Sequence, residues 1–288
     1  MKIKHLNFGF DFADCEMFRD TNLKSAEPHT HSFDEISIVF GGSAVHVVGK
    51  NRYPMMRGDV FVVHGDQVHS HTKLSNFHIF NIIYKREFFE IIKNELQEIP
   101  GFKTLFVHEP CFREFHKFKA KLHLHPHQLN YIQSIINQMI EERKSERAGS
   151  NKSIEHLFRV LIINLCQCYM EIDTPHSKEL YTIGRLIDFM EKNLGEDITL
   201  DMLAKRAYTS KSTLLRAFKR MTGCTPIEYL IKLRIEKAAK MMEKNNDIRI
   251  IDVSLATGFW NSSYFTRKFK AVIGMTPMEY LKKQRGTK

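Results

Sequence analysis

The sequence predicts an α+β chain in two parts: a barrel or sandwich of short strands with flanking helices, then an all-helical part built from two copies of one unit joined by a long helix. Three observations predict it. Charge and histidine content change together near residue 177, the first part alternates short β-branched runs with turn residues, and the last part repeats itself at a spacing of 51 residues. Residues 1–177 carry 21 Lys+Arg and 21 Asp+Glu, whereas residues 178–288 carry 22 and 12, so the whole formal charge of +10 lies in the second part. All 15 histidines lie between His5 and His176. A basic segment of this kind points to a polyanion as its partner.

Several classes are excluded. At 43% hydrophobic the chain can bury real cores and is too apolar to be disordered. It has no long apolar run, so no membrane span is expected. Met1–Phe12 has no apolar signal core, which predicts a cytoplasmic protein. The 5 cysteines form no CxxC pair, so neither a disulfide framework nor a Cys-based zinc finger is expected. Cys166 and Cys168 point to different faces of a helical pattern and read as free thiols.

In chain order, Glu35–Phe40, Ala44–Val48, Val60–Val63 and Phe77–Tyr84 read as strands, being rich in β-branched and aromatic residues. Gly41-Gly42, Gly49-Lys50-Asn51, Pro54, Gly58 and Gly65-Asp66 read as turns between them. Amphipathic helices follow around 128–143 and 153–172, joined by polar Lys144–Lys152. Their apolar stripes suit either a dimer interface or a cover for the barrel. His123-Leu-His125-Pro-His127 reads as an exposed loop and a weaker metal candidate. Asp173–Lys178 reads as the domain linker. The division expected is 1–100 for an effector-sensing domain, 101–177 for a helical dimerisation segment and linker, and 178–288 for a DNA-binding domain.

In the second part, Arg216–Arg234 overlies Arg267–Arg285 with 11 identities in 19 positions. Each copy has the grammar of a helix-turn-helix, at about 199–222 and 250–273. Thr199, Ser210 and Asn261 are placed as helix N-caps, Gly223 and Gly274 as helix ends, and Thr225-Pro226 and Thr276-Pro277 as helix starts. Phe218, Phe269, Tyr229, Tyr280, Leu230 and Leu281 are expected in the core. The second helix of each unit begins with small polar residues, Lys211, Ser212 and Thr213 or Ser262 and Ser263. One turn on come Arg216 and Arg267, then Lys219 and Lys270. Small residues let a helix enter the major groove, Arg reads guanine with two hydrogen bonds, and Lys meets phosphate. Leu215 and Thr266 complete this DNA-facing set. A solvated cationic face would look similar in one copy; two copies on a basic domain favour double-stranded DNA.

Residues 248–285, above all Asp252–Leu281, resemble the DNA-binding domain of AraC/XylS-type transcription regulators. The resemblance implies two helix-turn-helix units joined by a long helix, here Pro226–Lys244, both entering the major groove. It places base contacts on Ser212, Leu215 and Arg216 and on Ser262, Ser263 and Arg267. Leu215 is apolar and suits a thymine methyl rather than a hydrogen-bonded contact.

The first part carries His29-Thr-His31-x3-Glu35-x5-Gly41, then Gly58-Asp59-x4-His64-Gly65-x3-His69. These runs resemble the two cupin motifs, and His29–Tyr84 is similar to the sensor domain of the L-rhamnose regulators within the same family. On a strand His29, His31 and Glu35 share a face, and His69 comes from a later strand. His29, His31, Glu35, His46 and His69 are the candidate effector-binding residues. Three His and one Glu, His29, His31, Glu35 and His69, would also suffice for a divalent metal. Satisfied core histidines are the third reading. A short spacer to Gly41 and His64 in place of a proline depart from the cupin pattern and count against catalysis, so no resident cofactor and no enzyme are expected.

The function expected is a sequence-specific transcription regulator, an effector-responsive activator of carbohydrate-use genes. Its partners would be DNA, a small molecule such as a sugar, RNA polymerase and a second copy of itself, with no membrane. The alternative is a metal-dependent cupin enzyme with a nucleic-acid-binding appendage. A third option is a constitutive DNA-binding protein whose barrel only dimerises.

Overall fold

The computed structural model describes residues 3–10, 14–20, 26–113, 122–172, 175–245 and 247–285. They divide into two compact units, Met1–Tyr181 and Thr182–Lys288.

In the first unit β1 (Lys4–Leu6), β2 (Cys15–Asp20), β3 (Ala26–His31), β4 (Asp34–Val48), β5 (Asn51–Met56), β6 (Asp59–Val63), β7 (His69–Tyr84) and β8 (Leu122–His123) make one eight-stranded sheet. The two long strands β4 and β7 pair antiparallel from Asp34↔Tyr84 to Val48↔His69. The first half of β4 also pairs with β6 and its second half with β5. β7 pairs with β3 through its first half and β2 through its second. Each long strand thus changes neighbours midway, and the sheet curls around an interior lined by β4 and β7.

The bend lies where the sequence places a turn. Gly41-Gly42 does not separate two strands; it sits inside β4, where the register with β7 shifts at Val39/Gly41, Gly41/Ser43 and Ser43/Val45. Such bulges bend a strand without ending it. Gly42 has φ +67°, and a Cβ there would lie 2.0 Å from the Asn76 carbonyl oxygen. Pro54 also lies within a strand, on β5 opposite Val45 of β4. Among the described residues β5 pairs only with β4, and an edge strand tolerates the missing N–H.

Next come α1 (Arg86–Leu96), a π-helical turn (Thr104–His108) and α2 (Glu109–Phe112). After β8 follow α3 (Pro126–Ser145) and α4 (Ser150–Met170). The predicted stripes are buried: Leu129, Ile132, Ile135, Ile136 and Met139 on α3, and Ile154, Phe158, Leu161, Ile162 and Leu165 on α4. Phe158 packs on Tyr84 of β7 and Phe88 of α1, with ring centroids 5.4 and 5.8 Å away. The α4 stripe therefore covers the sheet. The histidines of the His123–His127 segment are exposed, as expected, but only Leu124 and His125 lie outside a strand or helix. His123 pairs with Asp59 in the sheet, and His125 caps α3 with Pro126 in the first turn, where a missing N–H costs nothing.

α5 (Pro175–Lys192) runs across the boundary between the units. Its start takes in Pro175–Lys178 of the expected linker; Asp173 and Thr174 lie outside the described residues. The second unit continues with α6 (Leu200–Arg206), α7 (Lys211–Thr222), α8 (Pro226–Lys244), α9 (Ile250–Ala256), α10 (Ser262–Ile273) and α11 (Pro277–Arg285). The repeat is structural as well as sequential. Phe218 meets Tyr229 at 5.6 Å and 73°, and Phe269 meets Tyr280 at 5.6 Å and 70°. Ile235, Ala238, Ala239 and Met242 of α8 join Val253, Phe259, Phe265, Phe269 and Leu281 in one core.

Candidate nucleic-acid interface and effector site

Caps set where each helix of the second unit starts and stops. Thr199 Oγ1 accepts from the Met202 N–H at 3.2 Å, Ser210 Oγ from Thr213 at 3.2 Å and Asn261 Oδ1 from Tyr264 at 2.8 Å. Gly223 and Gly274 end α7 and α10 at φ +77° and +89°. Thr225 with Glu228 and Thr276 with Glu279 form capping boxes for α8 and α11. In each box the carboxyl is held below its usual range by the hydrogen bonds from its threonine.

These starts leave the DNA-facing set at the surface. Lys211, Ser212, Thr213, Arg216 and Lys219 on α7 are exposed, as are Ser262, Ser263, Arg267 and Lys270 on α10, whereas Leu215 and Thr266 are half-buried. The two faces differ in detail. On α7 Lys211 pairs with Asp201 of α6, and the Ser210 hydroxyl engages those of Ser212 and Thr213 at 3.1 and 2.9 Å. On α10 the Arg267 guanidinium lies over the Tyr264 ring at 5.5 Å. Stacking of this kind holds a long side chain extended. Tyr208 and Trp260, in the two turns, are 96% and 76% exposed, a feature that residue type gives no reason to expect.

The candidate effector residues converge inside the curled sheet. His29 on β3 lies opposite His69 on β7, with ring centroids 4.4 Å apart. His31 lies 5.0 Å from His69, and His46 of β4 lies 5.7 Å from it. One ring nitrogen from each of His29, His31 and His69 lies within 4.8 Å of the others. Each of the three turns Nδ1 to a backbone carbonyl: His29 to Glu27 at 2.8 Å, His31 to Phe33 at 2.6 Å, His69 to Gln67 at 3.0 Å. That fixes the proton on Nδ1 and leaves Nε2 as an acceptor. Glu35 is beside this cluster rather than in it. It accepts from the Ser37 hydroxyl at 2.6 Å and lies 3.7 Å from His31 Nε2.

Burial holds His31, His46 and His69 neutral. It lowers His31, brings His69 down to about 4 and puts His46 well below the ordinary value. Burial alone would raise Glu35, but the charge that His69 and His31 take up on protonation at low pH, with the Ser37 hydroxyl, holds it below the usual carboxylate range. His71 joins the cluster without having been singled out by the motifs. It is buried on β7, stacks on His46 at 4.9 Å, and is also lowered by burial. A signal for it exists in the sequence: it lies two residues from His69 on one strand, hence on the same face.

A sheet of buried imidazoles and a duplicated, capped, basic helical unit together describe a DNA-binding transcription regulator with a ligand-binding domain. A family model described as an AraC-like ligand binding domain matches residues 16–158, and one described as a helix-turn-helix domain matches residues 203–283. In both parts the chain is similar to the AraC-type DNA-binding transcription regulators. It is 29% identical over 253 residues to the HTH-type transcriptional activator RhaR of Salmonella dublin, covering 88% of this chain and 86% of that one. Among solved structures it is similar to ToxT from Vibrio cholerae, at 15% identity and a TM-score of 0.36 over 94% of this chain and 98% of that one. It is also similar to the DNA-binding domain of AdpA in complex with a target DNA, at 25% identity and a TM-score of 0.35 over 37% of this chain and 96% of that one. RhaR is named as a transcriptional activator, and the alternative of a cupin enzyme is not supported. No helix among the described residues is long and apolar enough to cross a membrane.

Proposed function

We propose that the protein is a cytoplasmic, effector-responsive activator of carbohydrate-use genes. In this reading a sugar binds among His29, His31, Glu35, His46 and His69. The exposed faces of α7 and α10 read DNA, and the bound protein acts on RNA polymerase. The observation that carries it is the buried, neutral imidazole cluster in the same chain as two basic helix-turn-helix units. Neutral imidazoles both donate to and accept from hydroxyls, as a sugar requires. The RhaR relatives, named as activators, support the sign of the response. A second copy would pair through the outer surface of α3 and α4, where Tyr131, Val160 and Met170 are exposed.

Effector binding alters DNA occupancy only through unequal affinity for two states. The test is operator binding by the full chain with and without L-rhamnose and other neutral sugars. A shift of operator affinity by one of them supports the reading. Equal occupancy throughout, with a log–log salt slope near zero, sinks it.

A divalent metal is a second reading, favoured by one observation. Nδ1 of His29, His31 and His69 is bonded to backbone carbonyls, the arrangement that orients metal-ligating imidazoles. The residues fit: these three histidines would hold the ion, with Glu35 at hand, and it would supply a Lewis acid for sugar hydroxyls. Stoichiometric metal in purified protein, lost on His31→Ala, would establish it. Metal-free protein of full sugar affinity would remove it.

A further inference from the structure

Arg113 follows α2 and belongs to none of the sequence motifs. The side chain is 1% exposed. Its Nε and Nη2 donate to the Glu109 carboxylate, and its guanidinium lies over the Phe61 ring at 5.2 Å. Phe61 also receives His46, edge-on at 5.3 Å. Arg113 and His46 therefore flank one ring. Among the described residues Arg113 Nη1 has no hydrogen-bond partner, and neither has Nδ1 or Nε2 of His46. Buried polar atoms in native proteins are nearly always paired, so three unpaired ones around a single ring need a partner.

Nor is Arg113 there by default. Its carbonyl accepts from the Tyr53 hydroxyl and from Asn51 Nδ2, both on β5. The Pro110 carbonyl of α2 accepts from Gln67 Nε2 at 2.8 Å. Three side chains from the sheet region thus fix the backbone that carries it. The local charge also matters. Glu109 already neutralises the guanidinium. A ligand would meet N–H donors with no net positive charge behind them. Hydroxyl groups suit such donors; an anionic group would find no unbalanced cation there.

We infer that Arg113 and His46 form the inner end of the ligand site and that the ligand is a neutral polyhydroxyl compound, not a sugar acid or sugar phosphate. Arg113 Nη1 donates to a ligand hydroxyl oxygen there. This rests on the effector-sensor reading above and assigns that sensor a specificity residue.

The experiment is calorimetric titration and thermal melting of the full chain with L-rhamnose, D-galactose and D-galacturonate. It compares the native protein with Arg113→Met/Glu109→Gln and with Arg113→Lys. The paired substitution avoids stranding a buried carboxylate. Arg113→Lys keeps the charge opposite Glu109, loses the planar fork, and serves where the pair does not fold. A neutral sugar should bind the native protein, galacturonate should bind no more tightly, and the substitutions should weaken the sugar by about tenfold or more. Equal sugar affinity in native and substituted protein overturns the Arg113 assignment and leaves the sensor reading standing. Tighter binding of galacturonate than of either neutral sugar overturns the charge argument. Failure of all three probes to bind overturns both this inference and the sugar-sensor reading.

Discussion

Arg234 donates a hydrogen bond from Nη1 to the carbonyl oxygen of Gly258 at 3.0 Å. The same guanidinium donates from Nε to Leu194 at 2.8 Å and from Nη2 to Glu196 at 2.6 Å. Arg234 lies on α8, the helix that joins the two helix-turn-helix units. Its planar fork ties the residues after α5 to the turn of the second helix-turn-helix. Gly258 is fitted to this contact: at φ +78° it has room for no side chain, since a Cβ would lie 2.7 Å from Arg234 Cζ.

Arg234→Met should therefore loosen the two helix-turn-helix units from each other without touching a DNA-facing residue. The side chain is half-buried and bonded to three carbonyls, so the expected cost is about 1.5–3 kcal/mol. Urea unfolding checks it, together with protection of a two-site operator. An unchanged midpoint would show that the fork contributes nothing. Gly258→Ala should behave similarly, for steric reasons.

Arg267→Ala should relax base preference at one operator position, at about 1–3 kcal/mol. Tyr264→Leu should reproduce part of that loss, because Arg267 rests on the tyrosine ring. Binding to a set of single-base operator variants separates the outcomes. A uniform loss across all sequences would make Arg267 a phosphate contact.

Asp201→Asn should strengthen DNA binding. Lys211 is paired with Asp201 in the free protein and must leave it to meet phosphate. Removing that competitor should steepen the log–log salt dependence by up to about 1. A weaker or unchanged affinity would place Lys211 away from the DNA.

The capping boxes predict an acid limit for the second unit. Glu228 and Glu279 have folded-state values below the ordinary 4.5 through bonds from Thr225 and Thr276. A lowered carboxyl stabilises the fold above its unfolded value, and that contribution is lost as pH falls through the folded one. Amide protection at Thr225 and Thr276 should thus decline below about pH 4.5. Thr225→Ala should cost about 1 kcal/mol at pH 7, read by thermal melting.

The helical part was legible almost residue by residue. Its signals are local: a cap such as Ser210 or Asn261 and a terminal glycine such as Gly223 act within a few residues of the helix they bound. The repeat located both helix-turn-helix units for the same reason. It could not separate Arg234 from Arg285, which occupy matching positions. Arg234 clamps three carbonyls, whereas Arg285 pairs with Asp247, because only Arg234 has the other copy's turn beside it.

In the sheet the same local signals misled. Gly41-Gly42 and Pro54 are turn formers by type, yet the bulged pairing of β4 with β7 and the edge position of β5 kept both inside strands. Local sequence alone revealed a histidine-bearing part and a duplicated, basic part with the grammar of a helix-turn-helix. Alternation along a strand and capping along a helix are properties of neighbours in the chain. Tertiary structure alone decided that His29, His31, His46, His69 and His71 share one interior and that Glu35 stands beside the metal-sized cluster. It also decided that a buried arginine beyond the predicted strands reaches the ring on which His46 rests. Arg113 and Phe61 lie 52 positions apart in the sequence and His29 and His69 lie 40 apart, and only the curl of the sheet brings them together.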